Sequence, residues 1–263
     1  MERAASLTHH FSTLNFKNCR GVSSIISTVI VSGCLLLVLV TASFASLNVL
    51  ELQLSSAEFE QGRVNMMLLD EVVQDVSLRQ GSGGLVQFNL RCFGFNVMDE
   101  PSSLKIYVNE SMVFESGGLK TIAYGGVGHA SASDVTLRGG ESLIISMADD
   151  PGYLRVEECR GVWVKLDYNR VRVVEMGLLT IGNTSYNFIG VNFIKLESGS
   201  FGGSGTINVM AQNAGVETRS YQLEDGPFKI NVELGSKVEE RVFAGPAIVI
   251  LTIVEVKVSA LEG

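Results

Sequence analysis

The chain has 263 residues, 46% of them hydrophobic and 18% charged, which is enough for one large domain or two smaller ones. Its net charge of −8 argues against a nucleic-acid partner, because phosphate binding needs clustered Lys and Arg and the sequence has no such cluster. The charge is also uneven: residues 1–21 are net positive and the remainder is acidic, as expected for a cytoplasmic N-terminus followed by an exported body.

The first predicted element is a membrane-spanning helix over residues 22–50. No charged residue occurs from Gly21 to Leu50, and about 20 apolar residues suffice to cross the bilayer core. The run exceeds the roughly 7 to 15 residues of a secretory signal. A conventional cleaved signal peptide, ending at the small residues 42–46, is the less favoured alternative.

Arg20 and Gly21, directly followed by the apolar run 22–30, carry a family resemblance. This junction resembles the class III leader and N-terminus of archaeal type IV pilins and archaellins. The resemblance implies that a prepilin peptidase recognises Arg20 and removes residues 1–21 by cutting after Gly21, so that Val22 becomes the new N-terminus. Bacterial type IV pilins have a glutamate at the fifth mature position, which here is Ile26, so the archaeal branch fits better. The alternative is an uncleaved signal anchor in which Arg20 serves only the positive-inside rule.

A retained apolar helix implies assembly. In lipid such a helix satisfies its own backbone hydrogen bonds, and outside lipid the same surface can pack against other copies. Small residues such as Ser27, Ser32 and Gly33 permit close approach of helices and are equally compatible with lipid-facing positions. The implied partners are the membrane before assembly, the peptidase and assembly machinery, and further copies of the chain in a homopolymer filament.

Residues 51–80 are predicted to continue the helix as an amphipathic stalk, because proline is absent and no glycine pair intervenes before residue 81. Apolar residues repeat there at the seven-residue spacing of a helix-packing stripe, and the set is Leu52, Phe59, Met66, Leu69, Val73 and Val76. Ser55 and Gly62 stand at matching positions and permit close contacts. Residues 22–80 are therefore predicted to form one nearly continuous helix. Its upper part is expected to pack on the subunit's own head, and its lower part to join the assembly core.

Residues 81–263 are predicted to form a β-rich extracellular head. Short runs rich in Val, Ile, Phe and Tyr alternate there with Gly, Asn, Asp and Ser, which is typical of strands and turns. The predicted strands are Leu85–Phe95, Leu104–Val108, Ser142–Met147, Val162–Asp167, Arg170–Glu175, Ser185–Ile189, Thr206–Gln212, Phe228–Glu233 and Ala247–Ser259. The fold class is α+β, a long hydrophobic helix followed by an antiparallel β-sandwich-like head.

The number of lobes in the head stays open at this point. About 180 residues is large for one simple sandwich, which favours two lobes that divide near residues 177–205. Residues 198–205, rich in Gly and Ser, would be a linker or a long loop. The apolar segment 247–258 is too short for a second span and is better explained as a core strand.

The cysteines and sequons give the remaining candidate sites. Cys92 and Cys159 both lie in the predicted extracellular head, so they are either a disulfide or two buried thiols. Asn109 and Asn183 begin Asn-x-Ser/Thr sequons in the same region and are candidate N-glycosylation sites.

No catalytic, metal or cofactor site is predicted. His129, which follows a glycine-rich run, is the sole histidine expected after leader removal, and a nucleophile elbow is not recognisable. The acidic pairs 149–150 and 157–158 contain the oxygen ligands that calcium prefers, but acidic turns are usually only solvated.

The sequence therefore predicts a structural, pilin-like subunit of an archaeal surface filament rather than an enzyme. Its location would be the cell surface, with the head making surface contacts or adhesion. The alternative is a monomeric membrane-tethered module that binds extracellular ligands or anchors the envelope and uses residues 22–50 purely as an anchor.

Overall fold

The computed structural model describes residues 24–128, 130–203, 205–224 and 226–262, with side chains from residue 26 to residue 260. The chain divides after Leu50 into two compact units. One helix, α1 (Ser24–Ser77), contributes to both units and confirms the predicted long N-terminal helix. It ends where the Ser82 hydroxyl donates hydrogen bonds to the carbonyls of Val76 and Arg79, at 3.2 and 2.6 Å, which satisfies acceptors that lack helical partners.

The head is β-rich, as predicted. Its described residues form fifteen strands: β1 (Gly83–Leu90), β2 (Gly94–Glu100), β3 (Leu104–Val108), β4 (Ser111–Ser116), β5 (Leu119–Gly126), β6 (Val135–Arg138), β7 (Ile144–Ile145), β8 (Tyr153–Glu158), β9 (Val162–Asp167), β10 (Val171–Ile181), β11 (Thr184–Ser198), β12 (Gly205–Leu223), β13 (Phe228–Leu234), β14 (Lys237–Phe243) and β15 (Ala247–Glu262).

These strands form three sheets. A central six-stranded sheet has the order β1-β12-β15-β11-β10-β7, a four-stranded sheet has the order β14-β13-β3-β4, and a five-stranded sheet has the order β2-β5-β9-β8-β6. Pairing among the described residues is antiparallel except for β11 with β15 and β7 with β10, which are parallel. Strands β11 and β15 can be parallel because three strands, β12 to β14, separate them in the chain.

Two hydrophobic clusters lie on opposite faces of the central sheet. Strand β15 shows this, because Val249 and Leu251 belong to one cluster whereas Val256 and Val258 belong to the other. Odd and even residues of a strand point to opposite faces. The first cluster lies between the central sheet, α1 and the five-stranded sheet, and the second lies between the central and four-stranded sheets.

The second half of α1 is a core element of the first cluster. Phe59, Met66, Leu69, Val73 and Val76 are all buried there. The predicted stripe therefore packs on the head, as expected for this part of the helix. Leu52 departs from the prediction, because 45% of its surface is exposed within the chain.

The predicted boundary between lobes does not separate the two clusters. Residues 177–198 belong to the hairpin of β10 and β11, and the central sheet contributes to both clusters. The loop that follows β11 is docked rather than acting as a linker. The Gly199 amide donates a hydrogen bond to the Val258 carbonyl at 2.7 Å. The Phe201 ring stacks on the Phe95 ring, with 6.1 Å between the ring centroids. Residues 51–263 accordingly form one compact unit.

The strand predictions agree with the structure for some segments and not for others. The ranges Leu104–Val108 and Val162–Asp167 match β3 and β9. The predicted strand Leu85–Phe95 is divided by a turn between β1 and β2, and the predicted strand Ser142–Met147 reduces to β7. Five strands were not predicted, namely β4, β5, β6, β8 and β14. All five are only four to eight residues long, so each offers few positions for a periodic pattern, and β6 and β8 were missed although their apolar residues alternate.

Candidate assembly surface

The first half of α1 presents an exposed apolar surface, which we call the apolar segment (residues 26–50). Side chains around the whole circumference are exposed within the chain, among them Leu35 at 58%, Leu37 at 65% and Phe44 at 66%. A helix that is hydrophobic on all sides needs either lipid or protein around it, because exposing this much apolar area to water is unfavourable.

Three polar side chains in the apolar segment form hydrogen bonds inside the helix. The Ser32 hydroxyl donates to the Val29 carbonyl at 3.0 Å, and that of Ser43 donates to Leu39 at 2.8 Å. Thr41 likewise donates to the Leu37 carbonyl at 3.0 Å. Such bonds allow Ser and Thr to lie in lipid or against another helix without an unpaired donor. By length and composition the helix is able to cross a membrane.

Glu58 connects the second half of α1 to the head. Its carboxylate accepts hydrogen bonds from the backbone amides of Arg91 and Cys92, both at 2.9 Å, and of Phe93 at 3.4 Å. These residues form the turn between β1 and β2, so a single side chain holds the turn that divides the predicted strand. Charge-assisted bonds of this kind are roughly twice as strong as neutral ones.

Asp70 is the most deeply buried acidic residue of the helix. Its carboxylate accepts a hydrogen bond from the Tyr168 hydroxyl at 2.5 Å and lies 3.4 Å from the Arg138 guanidinium. Burial raises the pKa of Asp70, and hydrogen bonds from Tyr168, Gln74 and Arg138 oppose that rise. Burial also raises the pKa of Tyr168 well above its ordinary value, so Tyr168 keeps its proton and acts as the donor.

Two further contacts fix the helix in the head. Gly62 lies against the Tyr124 ring so closely that an added Cβ would be 1.9 Å from Cε1. Near the helix end, the Asn213 side chain donates to the Val76 carbonyl at 3.0 Å. The placement of the second half of α1 within the head is therefore specified by packing and by polar contacts.

The residues predicted for leader processing, Arg20, Gly21 and Val22, lie outside the described residues, as does His129. The other candidate sites are all visible. Cys92 and Cys159 are exposed free thiols, so the structure does not contain the predicted disulfide, and the alternative of two buried thiols is also wrong.

Both sequon asparagines are exposed in tight turns. Asn109 lies between β3 and β4 with a φ of 57°, and Asn183 lies between β10 and β11. The Oδ1 of Asn109 accepts a hydrogen bond from the Lys229 amide at 3.0 Å, while exposure at both sites is compatible with modification. Glycosylation of Asn109 and Asn183 stays a prediction.

One carboxylate of each acidic pair has protein partners. Asp149 accepts hydrogen bonds from the amide and hydroxyl of Ser146, and Glu157 pairs with Arg155 and Lys165. Within the described ranges, groups of three or more His, Cys, Asp or Glu residues with metal-binding geometry are absent.

A charged cleft of about 560 Å³ lies in the head beside β8 and β9. The guanidinium groups of Arg155 and Arg170 each lie 4.8 Å from the centre of the Tyr153 ring. Both arginines also contact Asp167, at 2.5 and 3.4 Å. These contacts join neighbouring strands of the head.

Sequence reasoning missed the polar residues that attach α1 to the head, namely Glu58, Asp70, Arg138, Tyr168 and Asn213. One signal was present. Asp70 directly follows the stripe residue Leu69 and precedes Val73, so it stands next to the buried face of the helix. Its partners come from distant strands, and a single sequence does not indicate them.

No known protein family, curated protein or solved structure matches this chain.

Proposed function

We propose that this protein is a pilin-like structural subunit of an archaeal type IV pilus-like surface filament, assembled through the apolar segment and displaying the β-rich head. The proposal includes removal of residues 1–21 by a prepilin peptidase, residence in the membrane before assembly, and a final location at the cell surface. The polymer partner is the chain itself.

One observation carries the proposal. Helix α1 continues from Ser24 to Ser77, and its apolar segment is exposed while its second half is buried in the head. A simple tether needs only a span, whereas here the helix is also a core element of the folded head. A subunit built in this way can move its span from lipid into a bundle of like helices while its head remains folded.

The test is the processing of the protein in its native membrane. N-terminal sequencing of surface material should begin at Val22, and purified material should contain filaments. Replacing Gly21 by Leu should retain the precursor and abolish filaments, because the peptidase requires a small residue before the cut. As a control, Arg3→Ala removes a leader charge away from the junction and should leave processing unchanged.

Surface material that consists only of dispersed single molecules with Met1 still attached would contradict the proposal. That outcome would favour the alternative, a monomeric membrane-tethered module that binds extracellular ligands or anchors the envelope.

A further inference from the structure

The central sheet has two open edges on the half that carries the second cluster. Strand β10 pairs with β7 only at Val171 and Arg172, and among the described residues its remaining length has a neighbour only on the β11 side. Strand β12 pairs with β1 only as far as Gln212, so within the described ranges Gly215–Leu223 has a partner only in β15. Unpaired backbone donors and acceptors therefore lie along both edges.

The β10 edge is unusually apolar for an open strand. Met176, Leu178, Leu179 and Ile181 are exposed, Leu178 at 74%. Proteins normally protect such edges with lysine, proline or a covering element. A bulge between Glu175 and Gly177 is present, but the exposed apolar residues continue beyond it. The physical chemistry of this edge fits an added strand, because only a strand satisfies the backbone and the apolar side chains together.

The strand directions are compatible with a second copy as the partner. Strand β10 is antiparallel to β11, β11 is parallel to β15, and β15 is antiparallel to β12. Strands β10 and β12 therefore run in the same direction. Copies placed side by side in one orientation bring the β10 edge of one and the β12 edge of the next together as a parallel pair. Such a contact is heterologous, because it joins two different surfaces. It can therefore add further copies in an open filament instead of closing into a ring.

Charge complementarity points to the same pairing. Glu175 is opposite Ile189, and Arg219 is opposite Leu251. Ile189 and Leu251 both belong to the second cluster, so Glu175 and Arg219 lie on the same face of the sheet. Both are exposed. Arg219 has Glu217 of its own strand as its ionic partner, a surface pair of low net value, and its guanidinium also donates a hydrogen bond to the Val113 carbonyl of β4 at 3.1 Å.

From these observations we propose that neighbouring copies join their central sheets, with the β10 edge of one copy pairing with residues 215–223 in β12 of the next and Glu175 facing Arg219. This contact lies in the head and adds a second assembly surface to the one in the apolar segment. It rests on the proposed function only in the identity of the partner, since the edges are features of the head alone.

Thiol crosslinking of the full-length chain in its native membrane tests the proposal. In a background with Cys19, Cys34, Cys92 and Cys159 replaced by Ser, the double variant E175C/R219C treated with a short bis-maleimide should give a ladder of oligomers on a denaturing gel. The matched control E175C/T218C places the second thiol on the opposite face and should crosslink several-fold less.

Charge exchange provides an independent second measurement. With the two thiols placed elsewhere on the β10 edge and on residues 215–223 of β12, E175R and R219E should each weaken crosslinking. The combined variant E175R/R219E should restore it. Dimers that form with E175C alone would indicate pairing of two β10 edges and overturn the proposal. Filaments without any ladder would also overturn it while leaving the proposed function intact, whereas a ladder from unprocessed, non-filamentous protein would support edge pairing and contradict the proposed function.

Discussion

At the scale of single residues, the attachment of α1 to the head depends on buried polar groups whose partners are distant in sequence. Glu58 orders a turn through three backbone amides, and Asp70 joins Tyr168 and Arg138. Removing one member of such a group leaves the others unsatisfied, which costs about 1 to 3 kcal/mol for a neutral group and more for a charged one.

The raised pKa of Asp70 predicts that the stability of the head depends on pH. Its pKa in the folded head is raised above its ordinary value of 3.8, so the folded state binds this proton more tightly than the unfolded state. The contribution of Asp70 to stability therefore falls as pH rises through the raised pKa, and Asp70→Asn removes that titration. We expect the unfolding free energy of D70N, relative to wild type, to increase from about pH 4 upward.

Urea unfolding in detergent, followed by the fluorescence of Trp163, the sole tryptophan, measures this difference. A relative free energy that decreases with rising pH would show that the carboxylate is net stabilised and would contradict the assigned direction. Asp75→Asn is the matched control, since Asp75 is an exposed acid on the same helix.

At the scale of elements, α1 has two halves with different requirements for space. Gly62 has the Tyr124 ring where a Cβ would stand, whereas Gly33 has nothing within 4 Å in the chain. The same substitution at the two glycines therefore separates packing from helix propensity.

We expect Gly62→Ala to destabilise the head by about 1 to 3 kcal/mol, because the Tyr124 ring must move to admit the methyl group. Gly33→Ala should leave the unfolding of the head unchanged, because alanine favours the helix and meets no neighbour there. Denaturant unfolding midpoints measure both. If Tyr124 is the obstacle, the loss in G62A/Y124L will be smaller than the sum of the single losses; additive losses would rule that explanation out.

At the scale of the whole head, two clusters depend on one sheet. Strands β11 and β15 contribute residues to both clusters from opposite faces. Loss of either cluster therefore weakens strands that the other requires, and the head should unfold as one cooperative unit rather than as two lobes.

Phe88 in the first cluster and Phe228 in the second are both fully buried. Replacing either by Ala should cost about 3 to 5 kcal/mol. In each variant, Trp163 fluorescence and hydrogen exchange of β13 peptides should report the same transition. Separate midpoints for the two probes in F228A would instead show two independently folding lobes.

The sequence by itself determined the class of the fold and the place of the long helix. An uncharged run followed by an apolar repeat of seven is a local pattern, and local patterns directly specify helices. The same pattern predicted that Phe59, Met66, Leu69, Val73 and Val76 would be buried. Strands β3 and β9 were predicted for the same reason, because an alternation of apolar and polar residues can be recognised within a few positions.

Only the tertiary structure decided how many sheets form, which strands pair, and which polar residues attach the helix to the head. The parallel pairing of β11 with β15, the two open edges and the free state of Cys92 and Cys159 belong to this group. Each depends on which distant segments become neighbours, and that choice minimises the free energy of the whole head rather than of any short segment. Leu52 illustrates the limit, because it fits the repeat yet lies beyond the surface that the head covers.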